Sequence, residues 1–349
     1  MQGLLLLSIV STHSVGRRSS RGSLFITLDG YSLWWCSVRV STNLSVSGIS
    51  KRFGDIVAVD EVSFEAGREV LAIMGPNGSG KTTTLSMISG ALRPSSGRVV
   101  VMGIDLWGSR DEMVRARRYI GYAPQNILFR SRLSGLENLV WIGMMRGLGY
   151  RDARRRAREL IERLELEDHM DRPVEKYSGG MIRRLSIASA LIHDPEVLVL
   201  DEPSSGLDPR ALESLWSLLL RVASGKTLIY STHNPYEAER FSSRVLMMHR
   251  GRIVASGTAE ELIRIYSPSP SIAIYLPDGT KPLVLEGYRS FDEKSLIAVY
   301  EARDPHRDLE NIVAAYTRRG IIPIRVEIKR PGLGEVFIIV TGTPLEEAG

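Results

Sequence analysis

The stretch Glu69-Val-Leu-Ala-Ile-Met-Gly-Pro-Asn-Gly-Ser-Gly-Lys-Thr82 decides the fold of this chain. Its first six residues are almost continuously apolar, which predicts a strand buried on both faces of a sheet. A glycine-rich segment follows at once, and the apolar pattern of residues 85–92 then predicts a helix that ends near Pro94. A strand, a glycine loop and a helix in this order are typical of the opening of a mononucleotide-binding domain.

The loop fits the pattern G-x-x-x-x-G-K-[ST] at every position. Glycines allow the backbone to wrap closely around phosphates and to point its N–H groups inward, and the helix that follows adds the positive end of its dipole. We expect Lys81 to reach the β- and γ-phosphates and the Thr82 hydroxyl to bind Mg²⁺. The alternative is a glycine-rich turn without a ligand, and the predicted strand and helix around the loop argue against it. The predicted nucleotide-binding residues of the loop are Gly75, Pro76, Asn77, Gly78, Ser79, Gly80, Lys81, Thr82 and Thr83.

Two adjacent carboxylates, Asp201 and Glu202, follow a second apolar run over Glu196–Leu200. The carboxyl ends of parallel strands face the crevice in which open α/β sheets bind ligands. We therefore expect Asp201 to hold Mg²⁺ through its waters and Glu202 to orient or deprotonate the attacking water, because phosphoryl transfer depends on positioning and charge neutralisation. The alternative is a solvated pair at a strand end.

The rest of the pattern predicts an α/β fold with a P-loop NTPase core. Ser45–Ile49 and Val57–Phe64 alternate between apolar and polar residues and predict an antiparallel β subdomain with one wet face. Thr227–Ser231 and Val245–Met248 continue an alternating series of strands and helices that is typical of a parallel sheet. A helix with leucines on one face is expected between residues 212 and 222.

Helical patterning dominates residues 108–192 and predicts a helical subdomain. Its strongest candidate is Arg151–Leu166, which has Ala153 and Leu160 on its apolar side and a wall of arginines on the other. The Arg151–Arg158 cluster is interpreted as a solvated helix face. The alternative is a surface for anionic lipid headgroups, where each basic side chain adds on the order of 1 kcal/mol.

A change of character near Ser267 marks a second ordered domain. The linker Ser267-Pro-Ser-Pro-Ser271 leads into Ile272–Leu276 and Lys281–Leu285, which flank Pro-Asp-Gly-Thr and predict a hairpin. A strand over 296–300, a helix over 309–319, a strand over 324–328 and a short final helix complete a small C-terminal α+β module. The predicted domains are 44–266 and 267–349.

Composition excludes several classes of protein. The chain has 349 residues, of which 43% are hydrophobic and 24% charged, so it is neither disordered nor fibrous. Its single cysteine, Cys36, forms no internal disulfide, and no Cys/His spacing indicates zinc. The net charge of 45 − 40 = +5 includes +3 from residues 1–43, so the body is nearly balanced and no nucleic-acid partner is expected. No run reaches the roughly 18 apolar residues of a transmembrane helix.

Residues 1–43 show no periodicity. We expect them to be a poorly ordered extension or a start-site artefact. A targeting leader, suggested by the apolar residues at 4–7, 9 and 10, is the alternative, although no positive charge precedes that run.

The string Tyr177-Ser-Gly-Gly-Met-Ile-Arg-Arg-Leu-Ser186 resembles the signature of ATP-binding subunits of ABC transporters. It lies 201 − 178 = 23 residues before Asp201, a spacing typical of that family. Other family elements occur in the expected order over about residues 44–265. They are Phe53 at the adenine-stacking position, Gln125 in Gly121-Tyr-Ala-Pro-Gln125, Asp208 in Ser205-Gly-Leu-Asp208, and His233 in Ser231-Thr-His-Asn234.

This resemblance implies that two copies pair head to tail and bury two ATP molecules between them. Ser178, Gly179 and Gly180 of one copy would then donate hydrogen bonds to the γ-phosphate held by the other, which is electrostatic catalysis. Gln125 would sense Mg²⁺ and the attacking water, and Glu202 would be the general base. His233 would steady the γ-phosphate, and Asp208 would link the two sites.

Two positions depart from the family pattern and two assignments keep alternatives. Met181 stands where glutamine is more usual, and Tyr177 replaces a common leucine, which indicates packing. Phe53 alternatively belongs to the core, and His233 is alternatively a structural histidine.

The resemblance also implies a function. The segment Pro331–Gly342 and Glu137-Asn138 are similar to the subunits of drug or polysaccharide exporters. The chain is therefore expected to hydrolyse ATP to ADP and phosphate, and to act at the cytoplasmic face of the membrane on a separate permease. The runner-up is a soluble ABC ATPase that acts on nucleic acid, translation or cluster assembly. A scaffold without turnover is disfavoured because Glu202 is present.

Overall fold

The computed structural model describes residues 27–28, 31–32, 42–126, 129–266, 269–329 and 331–345. Strands β1 (Thr27–Leu28) and β2 (Tyr31–Ser32) pair antiparallel within a separate unit, Met1–Ser41. The expectation of a disordered extension or start-site artefact over residues 1–43 otherwise falls almost entirely outside the described residues.

The second unit, Thr42–Gly349, holds all the other elements. Its strands are β3 (Leu44–Phe53), β4 (Ile56–Ala66), β5 (Val70–Met74), β6 (Ser96–Val101), β7 (Ile104–Asp105), β8 (Ile120–Ala123), β9 (Val197–Leu200), β10 (Thr227–Thr232), β11 (Arg244–His249), β12 (Arg252–Gly257), β13 (Ser271–Tyr275), β14 (Tyr288–Asp292), β15 (Ile297–Glu301) and β16 (Arg325–Lys329). Its helices are α1 (Lys81–Ile88), α2 (Arg110–Arg117), α3 (Gly135–Met145), α4 (Tyr150–Arg163), α5 (Gly179–Leu191), α6 (Pro209–Val222), α7 (Pro235–Phe241), α8 (Ala259–Tyr266), α9 (Pro305–Arg318) and α10 (Leu333–Thr341).

A six-stranded sheet in the order β12-β11-β5-β10-β9-β8 forms the centre of the predicted nucleotide-binding domain, residues 44–266. All neighbours pair parallel except β11 and β12. The apolar strands β5 and β9 are buried along almost their whole length, as the sequence predicts. Because β5, β10 and β9 are adjacent and parallel, the residues that follow them meet at one edge of the sheet, which is where a ligand is expected.

Two strands of this sheet were not predicted. The sequence pattern places β8 in a helical region, since a run of four residues is too short for periodicity to separate a strand from a helix. Its Gly121 lies so close to α5 that a Cβ there would come within 2.2 Å of the Ala190 carbonyl oxygen. The other strand, β12, returns antiparallel to β11 at the sheet edge.

The antiparallel subdomain is confirmed. Strands β4, β3, β6 and β7 form a four-stranded sheet in that order, with every pair antiparallel. Helix α1 fills the space between this sheet and the central one through Leu85, Met87 and Ile88, which are fully buried. It ends at Ile88, earlier than the predicted stop near Pro94, because the chain turns at Gly90 with φ of 81°.

The helical subdomain consists of α3, α4 and α5. Helix α4 confirms the amphipathic prediction, because Ala153, Ala157, Leu160 and Ile161 are fully buried while its arginines face outward. Arg155 forms ion pairs with Asp152 and Glu159, and Arg156 pairs with Glu159 and Asp194. No helix in the described ranges combines the length and the apolar character that crossing a bilayer requires.

The central sheet, the antiparallel subdomain and the helical subdomain together confirm the predicted α/β fold class.

The C-terminal sheet has the order β14-β15-β13-β16 and packs its own small core against α9. The predicted hairpin between Ile272–Leu276 and Lys281–Leu285 is wrong. Both edges of β13 are already occupied, by β15 and β16, so no edge is free for the second arm. Residues 281–285 instead cover the core, where the Leu283 N–H donates to the Tyr316 hydroxyl at 3.0 Å and the Leu283 carbonyl accepts from Tyr300 at 2.6 Å.

The last helix packs away from this module. In α10, Leu333, Val336 and Phe337 are fully buried in the core of the predicted nucleotide-binding domain, beside α7, α8 and β12. The Leu333 N–H donates to the Glu239 carboxylate of α7. The polypeptide after β16 therefore contributes to the hydrophobic core around α7.

Candidate functional site

The glycine loop joins β5 to α1 at the centre of the sheet. Gly80 stands before α1 with φ of 101°, a left-handed conformation that favours glycine. A Cβ at Gly80 would approach the Ala58 carbonyl oxygen at 2.5 Å, and one at Gly75 would approach the Met248 carbonyl oxygen at 2.2 Å. Both positions therefore require glycine for packing, and Gly80 also requires it for its backbone conformation.

The ammonium of Lys81 is buried inside the loop. Its Nζ donates to the carbonyl oxygens of Gly75 at 2.8 Å and Pro76 at 2.9 Å, and it lies 4.0 Å from Glu202 Oε1. Burial lowers the pKa of Lys81, and the nearby carboxylates of Glu202 and Asp201 oppose that shift. A buried ammonium at the first residue of α1 is suited to an anionic ligand, because the cation and the positive end of the helix dipole both attract negative charge.

Asp201 lies directly after β9 and is almost completely buried. Its Oδ1 accepts hydrogen bonds from Ser231 Oγ at 2.6 Å and from Thr82 Oγ1 at 3.2 Å, while Oδ2 is buried and has no hydrogen-bond partner among the described residues. A carboxylate with a free oxygen beside a hydroxyl offers the oxygen ligands that Mg²⁺ prefers. The predicted pair Thr82 and Asp201 is therefore brought together.

Glu202 adopts a left-handed conformation with φ of 45°, which is uncommon for a non-glycine residue. Its backbone N–H donates to Ser231 Oγ at 2.9 Å. Its Oε2 accepts from Gln125 Nε2 at 3.2 Å, and its Oε1 lies 3.2 Å from His233 Nδ1. Gln125 and His233 therefore both contact the carboxylate of Glu202. These three predicted catalytic residues follow β8, β10 and β9, and are far apart in the sequence.

A cleft of about 400 Å³ opens above these groups. Its volume is within the usual range for a small-molecule site. Among the described residues nine line the cleft; eight of them are predicted site residues, and the ninth is Ala58 of β4, which sequence reasoning missed. The lining consists of Ala58, Asn77, Gly78, Gly80, Lys81, Thr82, Thr83, Gln125 and Glu202.

Phe53 lies at the end of β3 and is 48% exposed. The alternative that it belongs to the core is therefore wrong. The Lys51 ammonium lies 5.3 Å from the centre of its ring, a cation–π distance. An exposed aromatic face at the rim of the antiparallel subdomain is available for stacking, although Phe53 is outside the cleft lining.

The signature segment begins α5 and does not line this cleft. Ser178 is the N-cap of α5, and its Oγ accepts from the Met181 N–H at 3.3 Å. A Cβ at Gly179 or Gly180 would meet no atom of the described residues within 4 Å. Asp208 caps α6 in the same way, since its Oδ1 accepts from the backbone N–H groups that follow it. Ser178 and Asp208 are both exposed, so within one chain these predicted residues are not assembled with the loop.

Comparisons with known proteins agree on one family. A family profile described as ABC transporter matches residues 59–205. Daunorubicin resistance ATP-binding protein DrrA3 of Streptomyces coeruleorubidus is 37% identical over 309 residues, covering 86% of this chain and 96% of that protein. Nod factor export ATP-binding protein I of Ralstonia nicotianae is 35% identical, covering 87% and 95%. The chain belongs to the ABC transporter ATP-binding family.

Solved structures support the same assignment. A dimeric ATP-binding cassette in a post-hydrolysis state, bound to ADP and Pi, is 28% identical and covers 62% of this chain and 98% of its own, with a TM-score of 0.56. As a member of this family, the chain is the ATP-binding and ATP-hydrolysing subunit of a transporter.

Sequence reasoning missed further residues around the ABC cleft. Arg183 of α5 donates to the Gln125 backbone carbonyl at 3.0 Å and thereby links the signature helix to the segment after β8. Ser231 bridges Asp201 and the backbone of Glu202. Its position directly before Thr-His in the predicted strand was a usable signal, whereas no local pattern marks Ala58 or Arg183. Tyr177 is buried and its hydroxyl donates to the His169 carbonyl at 2.8 Å, which confirms a packing role.

Proposed function

We propose that this ABC subunit binds ATP and Mg²⁺ in the cleft above β5 and β9 and that two copies hydrolyse ATP between them to drive an exporter. The arrangement that carries the proposal is the carboxylate of Glu202, with Gln125 and His233 each 3.2 Å away and the Lys81 ammonium at 4.0 Å. A base, an amide, an imidazole and a cation that converge on one point can position water and balance charge in phosphoryl transfer.

The loop residues would hold the triphosphate. Gly75, Gly78 and Gly80 allow close approach of the backbone, and Lys81 would exchange its carbonyl partners for phosphate oxygens. Phe53 would stack on adenine, since its ring face is exposed at the rim. Thr82, Asp201 and Gln125 would hold Mg²⁺, which supplies charge neutralisation on the phosphates when bound. The partnerless Asp201 Oδ2 beside the Thr82 hydroxyl supports this assignment.

Hydrolysis requires a group that accepts a proton from water. Glu202 would be that base, because its carboxylate is fixed by hydrogen bonds and lines the cleft. Gln125 would orient the water, and His233, whose side chain is half exposed, would reach the γ-phosphate from the other side. Arg183 of α5 donates to the Gln125 carbonyl, so a movement of α5 would change the position of Gln125.

The second copy would complete the site. Ser178, Gly179 and Gly180 begin a 13-residue helix with an open approach, so its N–H groups and the Ser178 hydroxyl can donate to a γ-phosphate held by another chain. Asp208, exposed at the start of α6, would connect the two sites. The related dimeric cassette structures support such pairing.

Export is supported by the relatives. Proteins similar to this chain over most of their length are named for daunorubicin resistance and Nod factor export. We therefore assign the subunit to the cytoplasmic face of the membrane, as a peripheral partner of an exporter permease. The helical subdomain would transmit closure of the dimer to that permease.

The test is a pair of isosteric variants of the purified protein. Glu202→Gln should lower the rate of ATP hydrolysis by about 10²-fold or more, as removal of a general base does, and should trap an ATP-bound dimer in size-exclusion chromatography. Glu213→Gln makes the same chemical change on the outer face of α6, where the carboxylate pairs with Arg240, and should leave both properties unchanged. Full-rate hydrolysis by Glu202→Gln would refute the assigned base.

A further inference from the structure

A buried carboxylate behind the cleft has no role in the site described above. Glu237 of α7 is 2% exposed, and no ion pair found among the described residues involves it. Its Oε1 accepts from Trp216 Nε1 at 2.6 Å and from the Ser204 hydroxyl, and its Oε2 accepts from Thr232 Oγ1 at 2.5 Å. Burying a carboxylate without a cation is costly unless hydrogen bonds satisfy it. The three donors supply those hydrogen bonds, and the fold therefore keeps an acidic group where an apolar side chain would avoid the cost.

The two hydroxyl donors lie on the two chain segments that carry the catalytic side chains. Ser204 is two residues after Glu202, in the segment between β9 and α6. Thr232 ends β10 and directly precedes His233, and its Oγ1 also accepts from the Asn234 N–H at 3.0 Å. The two oxygens of Glu237 therefore hold one segment each.

These contacts close a ring. It runs from Glu202 along the backbone to Ser204, across to Glu237 Oε1, out of Oε2 to Thr232, along one peptide to His233, and back to Glu202 through the 3.2 Å contact with Nδ1. Glu237, Ser204 and Thr232 are buried, so water does not compete with the two hydrogen bonds that join them. Buried networks in which every group is satisfied rigidify their surroundings.

We propose that Glu237 is a positioning residue for ATP hydrolysis, which sets the separation between the base Glu202 and the imidazole of His233. It acts through Ser204 and Thr232 and touches neither nucleotide nor water. The inference rests on the roles proposed above for Glu202 and His233. It adds that their geometry is maintained from behind the sheet edge by one carboxylate, so opening either arm of the ring loosens both side chains.

A merely structural role makes a different prediction from a positioning role. The loop that would bind the triphosphate, Gly75–Thr82, lies outside the ring and takes its shape from β5 and α1. Loosening the ring should therefore lower kcat and leave KM for ATP within about twofold, since an interaction needed only in the transition state has been weakened. General destabilisation would instead reduce the fraction of folded protein and the binding of ATP together.

The experiment measures kcat and KM for ATP in variants of the full chain. Thr232→Val and Ser204→Ala each remove one hydroxyl, and Thr232→Ser keeps the hydroxyl as the conservative variant. Glu237→Gln retains the side-chain shape with one carbonyl oxygen. The matched control is Glu239→Gln on the same helix, because the Glu239 carboxylate accepts from Leu333 and lies outside the ring.

Thr232→Val and Ser204→Ala are each expected to lower kcat roughly 3- to 10-fold, the value of one hydrogen bond expressed as a rate. The double variant should lose less than the product of the two, because either change already opens the ring. Thr232→Ser should have the kcat of the wild type, because it keeps the hydroxyl. The kcat of Glu237→Gln should be lower than that of Glu239→Gln. KM for ATP should be the same in all of these variants.

The inference is overturned if Ser204→Ala, Thr232→Val and Glu237→Gln match Glu239→Gln in kcat, or if KM rises together with the loss of kcat. Failure of the underlying roles is recognised separately. If Glu202→Gln and His233→Ala both keep full ATPase activity, the proposed catalytic assignment fails. If they lose it while the ring variants do not, only the role of Glu237 fails.

Discussion

The C-terminal helix α10 should stabilise the nucleotide-binding region, and Phe337 provides the sharpest test. The Phe337 side chain is fully buried against the core around α7, with its ring centre 5.9 Å from that of His249. Truncating a buried phenylalanine to alanine costs about 3–5 kcal/mol. A change of 1 kcal/mol moves the melting temperature of a domain of 150–250 residues by about 2–4 °C, so Phe337→Ala should lower it by roughly 6–20 °C.

The assay uses tryptophan fluorescence during thermal unfolding. All five tryptophans lie between residues 34 and 216, so the signal does not arise from residues 267–349. Ile339→Ala is the matched control, because this residue is on the same helix and is 50% exposed. We expect the control to shift the transition by no more than about 2–4 °C, in line with a loss below about 1 kcal/mol at an exposed site. If the two variants melt together, α10 does not belong to this core.

Two further predictions concern the contact between β8 and the C-terminal end of α5. Gly121→Ala should destabilise the protein by about 1–3 kcal/mol in urea unfolding, because its Cβ would come within 2.2 Å of the Ala190 carbonyl oxygen; an unchanged midpoint would contradict this packing. Burial, with a contribution from Arg146, lowers the pKa of His193 to about 4. Because the unfolded state binds the proton more readily, stability should fall by up to about 3 kcal/mol between pH 6.5 and 4, and this part of the pH dependence should disappear in His193→Gln.

The elements that the sequence predicted correctly are those whose pattern is long or continuous. Strands β5 and β9 are apolar throughout, and α4 repeats its apolar residues over 14 positions. The hairpin at Pro277–Thr280 was wrong although its turn residues are suitable. Local turn chemistry specifies that the chain can reverse there, but which strands occupy the two edges of β13 depends on residues 297–301 and 325–329, far along the chain.

The candidate site divides in the same way. Residues inside a short motif, such as Lys81, Asp201 and His233, could be named because phosphate chemistry demands particular residue types at fixed spacing. Ala58, Arg183 and the ring around Glu237 could not. Their partners are brought together by sheet order and helix packing, and a buried glutamate on a short helix looks like a solvated one in sequence. These residues could not be predicted because their partners are far away along the chain, and not because the interactions are weak.

Gly75 of the phosphate-binding loop and Gly180 of the signature segment are required for different reasons, and this difference can be measured. A Cβ at Gly75 would overlap backbone of its own chain, whereas at Gly180 a Cβ meets nothing within 4 Å, and Gly180 has no positive φ. Nothing in the described part of the chain therefore requires glycine at position 180, and alanine there should stabilise the first turn of α5 by about 0.5–1 kcal/mol. A demand for glycine at this position must come from outside the chain, as close approach of a phosphate held by a second copy would impose. We expect Gly180→Ala to melt at or above the wild-type temperature while its ATPase rate falls, and Gly75→Ala to lose stability as well. A Gly180→Ala protein with full ATPase activity would place the signature outside the catalytic site.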